Sequence, residues 1–286
     1  MVVKKRQLSR VASGEEEVVR SLYLELLKSC LTNFIYGDVE VLPFALKKKG
    51  VKRWLGRAFQ TFGLELGAIK PFDPERRKQG YDIPPSAHSM IGLVRLNNLE
   101  SCIRDVLEND VPGDFVETGV WRGGASIFMR AVLKSYQVTD RKVWVADSFE
   151  GLPRPNAEKY PADAKSRLYK RNALAISLDA VQSHFDRYGL LDDQVQFLKG
   201  WFKDTLPTAP FKTLAIARLD GDMYESTMDG LTSLYPKVSP GGYVIVDDYG
   251  AIRACRQAVQ DYRDEHGITE EIVKIDYTGV YWKRSS

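Results

Sequence analysis

The sequence predicts an α/β protein built on a mostly parallel sheet with helices on both faces. Two observations carry that reading. After Pro112, short β-rich runs alternate with helical ones, the pattern of strand–helix–strand crossovers. The last two strands are joined only by residues 276–279. That is too short for a parallel crossover, so this pair is expected to be antiparallel.

The elements follow in chain order. Residues 1–14 are polar and read as a frayed tail. From 15 to about 36, Val18, Val19, Leu22, Leu26, Leu27, Cys30, Leu31 and Phe34 recur at helical spacing. The 44–62 stretch is helical with a basic side (Lys47, Lys48, Lys49, Lys52, Arg53, Arg57). Residues 73–85, rich in Pro, Gly and charge, read as a loop. A helix over 89–107 carries Met90, Leu93, Leu96, Leu99 and Ile103 on one face. Strands are expected at 114–118, 142–147, 194–198, 213–219, 242–247, 271–275 and 280–283. Helices are expected at 125–136, 173–188, 226–235 and 251–266.

Composition narrows the function classes. With 44% apolar and 28% charged residues among 286, the chain has the makeup of a folded globular protein. No run approaches the roughly 20 apolar residues of a membrane helix, and no apolar segment follows the basic N-terminus. A net charge of +3 argues against nucleic acid as a partner. Three scattered cysteines, Cys30, Cys102 and Cys255, fit a reducing cytoplasm. With three histidines and no C-x-x-C pair, any metal must be held by oxygen. His184 and His266 read as structural, and His88 as a structural hydrogen-bonding group.

Ligands of such a sheet bind beyond the carboxyl ends of the strands, where strand order reverses. The first strand ends in Glu117-Thr118-Gly119-Val120-Trp121-Arg122-Gly123-Gly124, with Ser126 just inside the next helix. Its glycines do not make a dinucleotide fingerprint, and Glu117 would repel a diphosphate but suit an ammonium group. The second strand ends in Asp147-Ser148, where a carboxylate can take both hydroxyls of a ribose. An amine and a ribose without a phosphate point to S-adenosylmethionine. Trp201 and Phe202 follow the third strand and can stack on adenine. The fourth and fifth strands end in Asp220-Gly221-Asp222 and Asp247-Asp248. If Asp220, Asp247 and Asp248 converge, they cannot all ionise without a cation. Oxygen ligands suit Mg²⁺, or Mn²⁺ or Ca²⁺ in vitro. The alternative is helix capping, by Asp222 near Glu225 and by Asp248 after Gly250.

These segments together resemble the macrocin O-methyltransferase family, metal-dependent enzymes that methylate sugar hydroxyls of antibiotics. The matching runs are 87–93 (AHSMIGL), 117–124 (ETGVWRGG), 144–153 (WVADSFEGLP), 219–224 (LDGDMY) and 246–249 (VDDY). The resemblance implies a class I S-adenosylmethionine-dependent methyltransferase fold: a Rossmann-like, seven-stranded sheet with an antiparallel last strand and an N-terminal helical lid. It implies a lid or oligomerisation segment over 15–86 and a methyltransferase domain over 87–286. It places the cofactor on Glu117, Gly119, Trp121, Ser126, Asp147, Ser148 and Trp201, with Met90 from the lid side; Arg122, Gly123 and Phe202 join this set. It places Mg²⁺ on Asp220, Asp247 and Asp248. Asp222 is the first candidate for proton acceptor, and Asp220 the second. The acceptor is expected to be a small molecule, a glycosylated natural product or else a catechol, polyketide hydroxyl or other vicinal diol. A homodimer or higher homo-oligomer in the cytoplasm is expected.

Overall fold

The structure, a computed structural model, describes residues 14–37, 40–44, 49–82 and 84–285. The predicted tail at 1–14, save Gly14, and Lys47 and Lys48 of the basic side lie outside the described residues. The N-terminal part comprises α1 (Gly14–Leu31), β1 (Glu40–Pro43), α2 (Val51–Gln60), β2 (Gly67–Lys70) and α3 (Pro74–Gln79), followed by α4 (Gly92–Glu108). Then come β3 (Asp114–Thr118), α5 (Gly124–Ser135), β4 (Val143–Asp147), α6 (Leu178–Arg187), β5 (Val195–Lys199), α7 (Phe202–Thr205) and β6 (Leu214–Leu219). The chain ends with α8 (Tyr224–Leu234), β7 (Val238–Val246), α9 (Arg253–Glu265), β8 (Val273–Lys274) and β9 (Val280–Lys283).

Seven strands form one sheet in the order β5-β4-β3-β6-β7-β9-β8. The first five pair in parallel, and β9 runs antiparallel to both β7 and β8. Successive strand residues alternate between two cores. Phe115, Val143, Val145 and Ile245 face α1, α4 and α5. Val116, Trp144, Ala146, Val244 and Val246 join Trp282 and Tyr262 on the other face. Burial on both faces is what a central parallel strand requires. Strand order reverses between β3 and β6, so a ligand site is expected at their tips.

Three local expectations are corrected. The 73–85 loop contains α3, whose Asp73 caps the helix by accepting the Arg76 N–H at 3.0 Å. Pro74 fills the first helical position and Gly80 takes the left-handed C-terminal cap. The Pro and Gly that read as loop punctuation are thus a short helix's own start and stop. The 173–188 helix begins only at Leu178, capped by Ser177. The 271–275 strand shrinks to two residues. A two-stranded antiparallel hairpin, β1–β2, brackets α2.

The N-terminal helix is sewn into the main core. Leu24, Leu27 and Leu31 are buried against α4 and α5 residues, while Val18, Val19, Leu22 and Leu26 stand exposed on the opposite side. Lys28, only 2% exposed, sits among Glu25, Asn97 and Glu100 at 2.5–2.9 Å, tying α1 to α4.

Candidate active site

A cavity of about 510 Å³ opens at the carboxyl ends of β3, β4, β5, β6 and β7. Its floor is fixed by one close approach. At Gly119 (φ +78°) an added Cβ would lie 1.9 Å from the Asp220 carbonyl oxygen, so only glycine lets the β3 and β6 tips meet. The turns that follow carry Trp121, Phe149 and Asp222 at positive φ. Such conformations are uncommon for residues with side chains and gather at functional sites.

The cofactor wall assembles most of the predicted residues. Met90, Glu117, Gly119, Trp121, Asp147, Ser148, Trp201 and Phe202 line the cavity. Asp147 is rigidly placed: one oxygen accepts the Val120 N–H at 2.8 Å, the other the Phe149 N–H at 2.7 Å. Burial nonetheless raises its pKa. Glu117 is 2% exposed and already partnered. It accepts from Arg218 at 2.7 Å and from the Ser126 hydroxyl, yet burial pushes its pKa up to about 7.

Three predicted cofactor residues do other work. Ser126 is fully buried and acts through Glu117. Arg122 donates to the Pro85 and Ala87 carbonyls, both at 2.7 Å, and so holds the segment entering α4. Gly123 packs towards Val181 and Phe185. Because side-chain direction decides which residues of one turn reach a ligand, the contiguous motif overstates the contact set.

The acids separate into two groups. The predicted trio of Asp220, Asp247 and Asp248 is not the trio that converges. One oxygen from each of Asp220, Asp222 and Asp248 lies within 4.8 Å of the others. Asp247 instead gives one oxygen to Arg218 and the other to Arg95. Arg218 also reaches Asp220 at 3.0 Å, and Arg95 pairs with Asp276 at 3.0 Å. Asp247 is therefore neutralised internally.

Among the described residues the converging trio makes one ion pair, Asp220 with Arg218, and the charge of Arg171 only partly offsets that of Asp222. Burial, then repulsion from neighbouring acids, raises the pKa of Asp220 to about 6 and of Asp222 to about 7. The same causes push Asp248 far above the usual carboxylate range. One Asp248 oxygen is buried without a hydrogen-bond partner, a costly arrangement unless a ligand completes it. Neither proposed cap is made. The Tyr224 and Glu225 N–H groups at the start of α8 bond Asp163, and α9 has no side-chain cap.

Sequence reasoning missed Arg95, Arg218, Asp276 and Asp163. Arg218 left a signal: it is the one charged residue in an otherwise apolar strand, 214–219. A fully buried cation there requires acids beside it.

Comparison with known proteins assigns the family. The model of the macrocin-O-methyltransferase (TylF) family matches residues 20–284. Mycinamicin III 3''-O-methyltransferase of Micromonospora griseorubida is 53% identical over 268 residues, 93% of this chain and 97% of its own. Demethyldecarbamoylnovobiocin O-methyltransferase of Streptomyces niveus is 57% identical over 212 residues, 74% of this chain and 81% of its own. The solved structure of the O-methyltransferase NovP superimposes with a TM-score of 0.81 at 48% identity, covering 93% of this chain and all (100%) of that one. The chain belongs to the macrocin-O-methyltransferase family and is an S-adenosylmethionine-dependent O-methyltransferase.

Proposed function

We propose that the enzyme methylates a sugar hydroxyl of a glycosylated natural product in antibiotic biosynthesis, with a divalent cation at its carboxylate cluster. The relatives support the acceptor class. One is named for mycinamicin III, one for a rhamnosyl tetracenomycin and one for a novobiocin precursor. The observation that carries the cation is the convergence of Asp220, Asp222 and Asp248 within 4.8 Å, with one Asp248 oxygen buried and without a hydrogen-bond partner. Oxygen donors of this number and charge fit Mg²⁺, whose remaining positions go to water and substrate.

Asp220 and Asp248 would hold the ion. Asp247, expected as a ligand from sequence, would meet it only by releasing an arginine. A bound cation lowers the pKa of a coordinated hydroxyl and so supplies a nucleophile near neutrality. Asp222 would then be the proton acceptor: it lies within 4.8 Å of Asp220 and Asp248, on a left-handed turn that lines the cavity. On the cofactor side, Asp147 binds the ribose and Trp201 the adenine. Glu117 orients the amino-acid end. The cavity lies at the reversal of strand order, so donor and acceptor meet between the β3 and β6 tips.

The exposed Val18, Val19, Leu22 and Leu26 face of α1 is assigned to contact with a second copy of the chain. Residues 15–86 act as its lid and oligomerisation segment.

The test is methyl transfer from labelled S-adenosylmethionine to mycinamicin III, demethyldecarbamoylnovobiocin and catechol, each with Mg²⁺ and with EDTA. Label on a glycosylated acceptor with Mg²⁺ alone is the expected result. Transfer to catechol alone would move the assignment to non-sugar diols. Full activity in EDTA would remove the cation.

A further inference from the structure

We infer that Asp163 is a positioning residue: it latches the 151–177 segment onto the start of α8 and thereby frees and fixes Asp222. This inference rests on the role given above to Asp222. Asp163 ends a short 3₁₀ turn, Pro161–Asp163, and is 1% exposed. Its two oxygens accept from the Tyr224 N–H at 2.8 Å and the Glu225 N–H at 3.0 Å. Among the described residues, no basic side chain forms a salt bridge with it.

The first N–H groups of a helix need an acceptor, usually the side chain just before it. In α8 that position is Met223, which offers none. The nearest carboxylate upstream is Asp222, the alternative cap in the sequence, yet it lines the cavity instead. Asp163 supplies the cap from 61 residues earlier in the chain. A second tie pins the far end of the same segment: the Trp121 indole N–H donates to the Ala173 carbonyl at 2.9 Å. Between the ties, Leu168 and Arg171 line the cavity. Without Asp163, two helix N–H groups are bare and Asp222 is the closest replacement. Its carboxylate would leave the cavity for the helix, and the covering segment would lift.

Asp163→Ala and Asp163→Asn test this, the asparagine keeping an acceptor oxygen for one of the two N–H groups. Trypsin digestion needs neither acceptor nor metal, and exposed sites such as Lys159, Lys165 and Arg171 lie in the segment. Cleavage there should accelerate at least tenfold in the alanine variant and less in the asparagine variant. With an acceptor identified, kcat should fall at least tenfold in the alanine variant. KM for S-adenosylmethionine should stay within twofold, and asparagine should restore most of kcat. Unchanged cleavage in Asp163→Ala overturns the latch, even if wild-type activity on every tested acceptor is absent. Parallel loss of kcat and cofactor affinity, or failure of asparagine to rescue, overturns the positioning role. Should the alanine variant not fold, the asparagine variant decides by proteolysis: cleavage no faster than in wild type contradicts the latch.

Discussion

Two groups of buried acids lie side by side at the sheet's edge and are stabilised in opposite ways. Glu117, Asp247 and Asp276 are matched by Arg218 and Arg95, which enter from β6 and α4. Asp220, Asp222 and Asp248 crowd within 4.8 Å and, among the described residues, form one ion pair with an arginine. Asp247 and Asp248 are neighbours in sequence, yet the strand's alternation sends one towards the arginines and the other to the orphaned group. The first group is self-contained and belongs to the scaffold. The second is not balanced from within, which leaves it open to a ligand.

Breaking the second group should cost activity before stability. Asp248→Asn is expected to lower turnover by about three orders of magnitude, the scale of losing a metal's charge stabilisation. S-adenosylmethionine binding by calorimetry should stay within a few-fold. Urea denaturation should show no loss of stability, because a buried like charge has been removed.

Breaking the first group should do the reverse. Arg218→Met strands Glu117 as an uncompensated buried charge and leaves Asp247 with Arg95 alone, at about 3–5 kcal/mol. A large drop in the urea midpoint, or insoluble protein, is the expected outcome. A stable variant would show that the arginines are not what holds this group.

Asp247→Asn sharpens the boundary between the two. Manganese titration followed by electron paramagnetic resonance should find affinity reduced at least tenfold less than in Asp248→Asn. Equal losses would put Asp247 back among the ligands.

The smallest effect concerns His88, which lines the cavity, and its neighbour His184. His88 stacks on His184 at 4.2 Å and its Nδ1 lies 2.8 Å from the Tyr188 hydroxyl. Burial, then the charge of His184, lowers the His88 pKa to about 4 from 6.5. The unfolded chain therefore takes up a proton first as pH falls. The stability that neutral His88 gives is present above pH 6.5 and is lost as pH drops towards 4. A melting temperature that declines over that window, and declines less in His88→Phe, is the expected result; identical slopes would exclude His88 as the cause.

Much of this was legible in the chain because strand tips are local. Periodicity located β3 to β7 and the residues ending them, and the short 276–279 connection fixed the antiparallel β8–β9 pair. The hidden part is pairing at a distance. Glu117 and Arg218 are 101 residues apart, and Arg95 meets Asp247 across 152. Nothing in the sequence near Asp247 distinguishes it from Asp248. The α3 helix was concealed because its proline and glycine signal a turn as readily as a cap. Asp163 was concealed because a cap is sought next to its helix, not in a distant loop.

The central claim is tested most directly by titrating Mg²⁺ into metal-stripped protein saturated with S-adenosylhomocysteine. Wild type should bind one ion in the calorimeter, and Asp248→Asn should bind none at the same concentrations. Equal heats from both proteins, or none from wild type alongside undiminished methyl transfer in EDTA, would contradict a cation at this cluster.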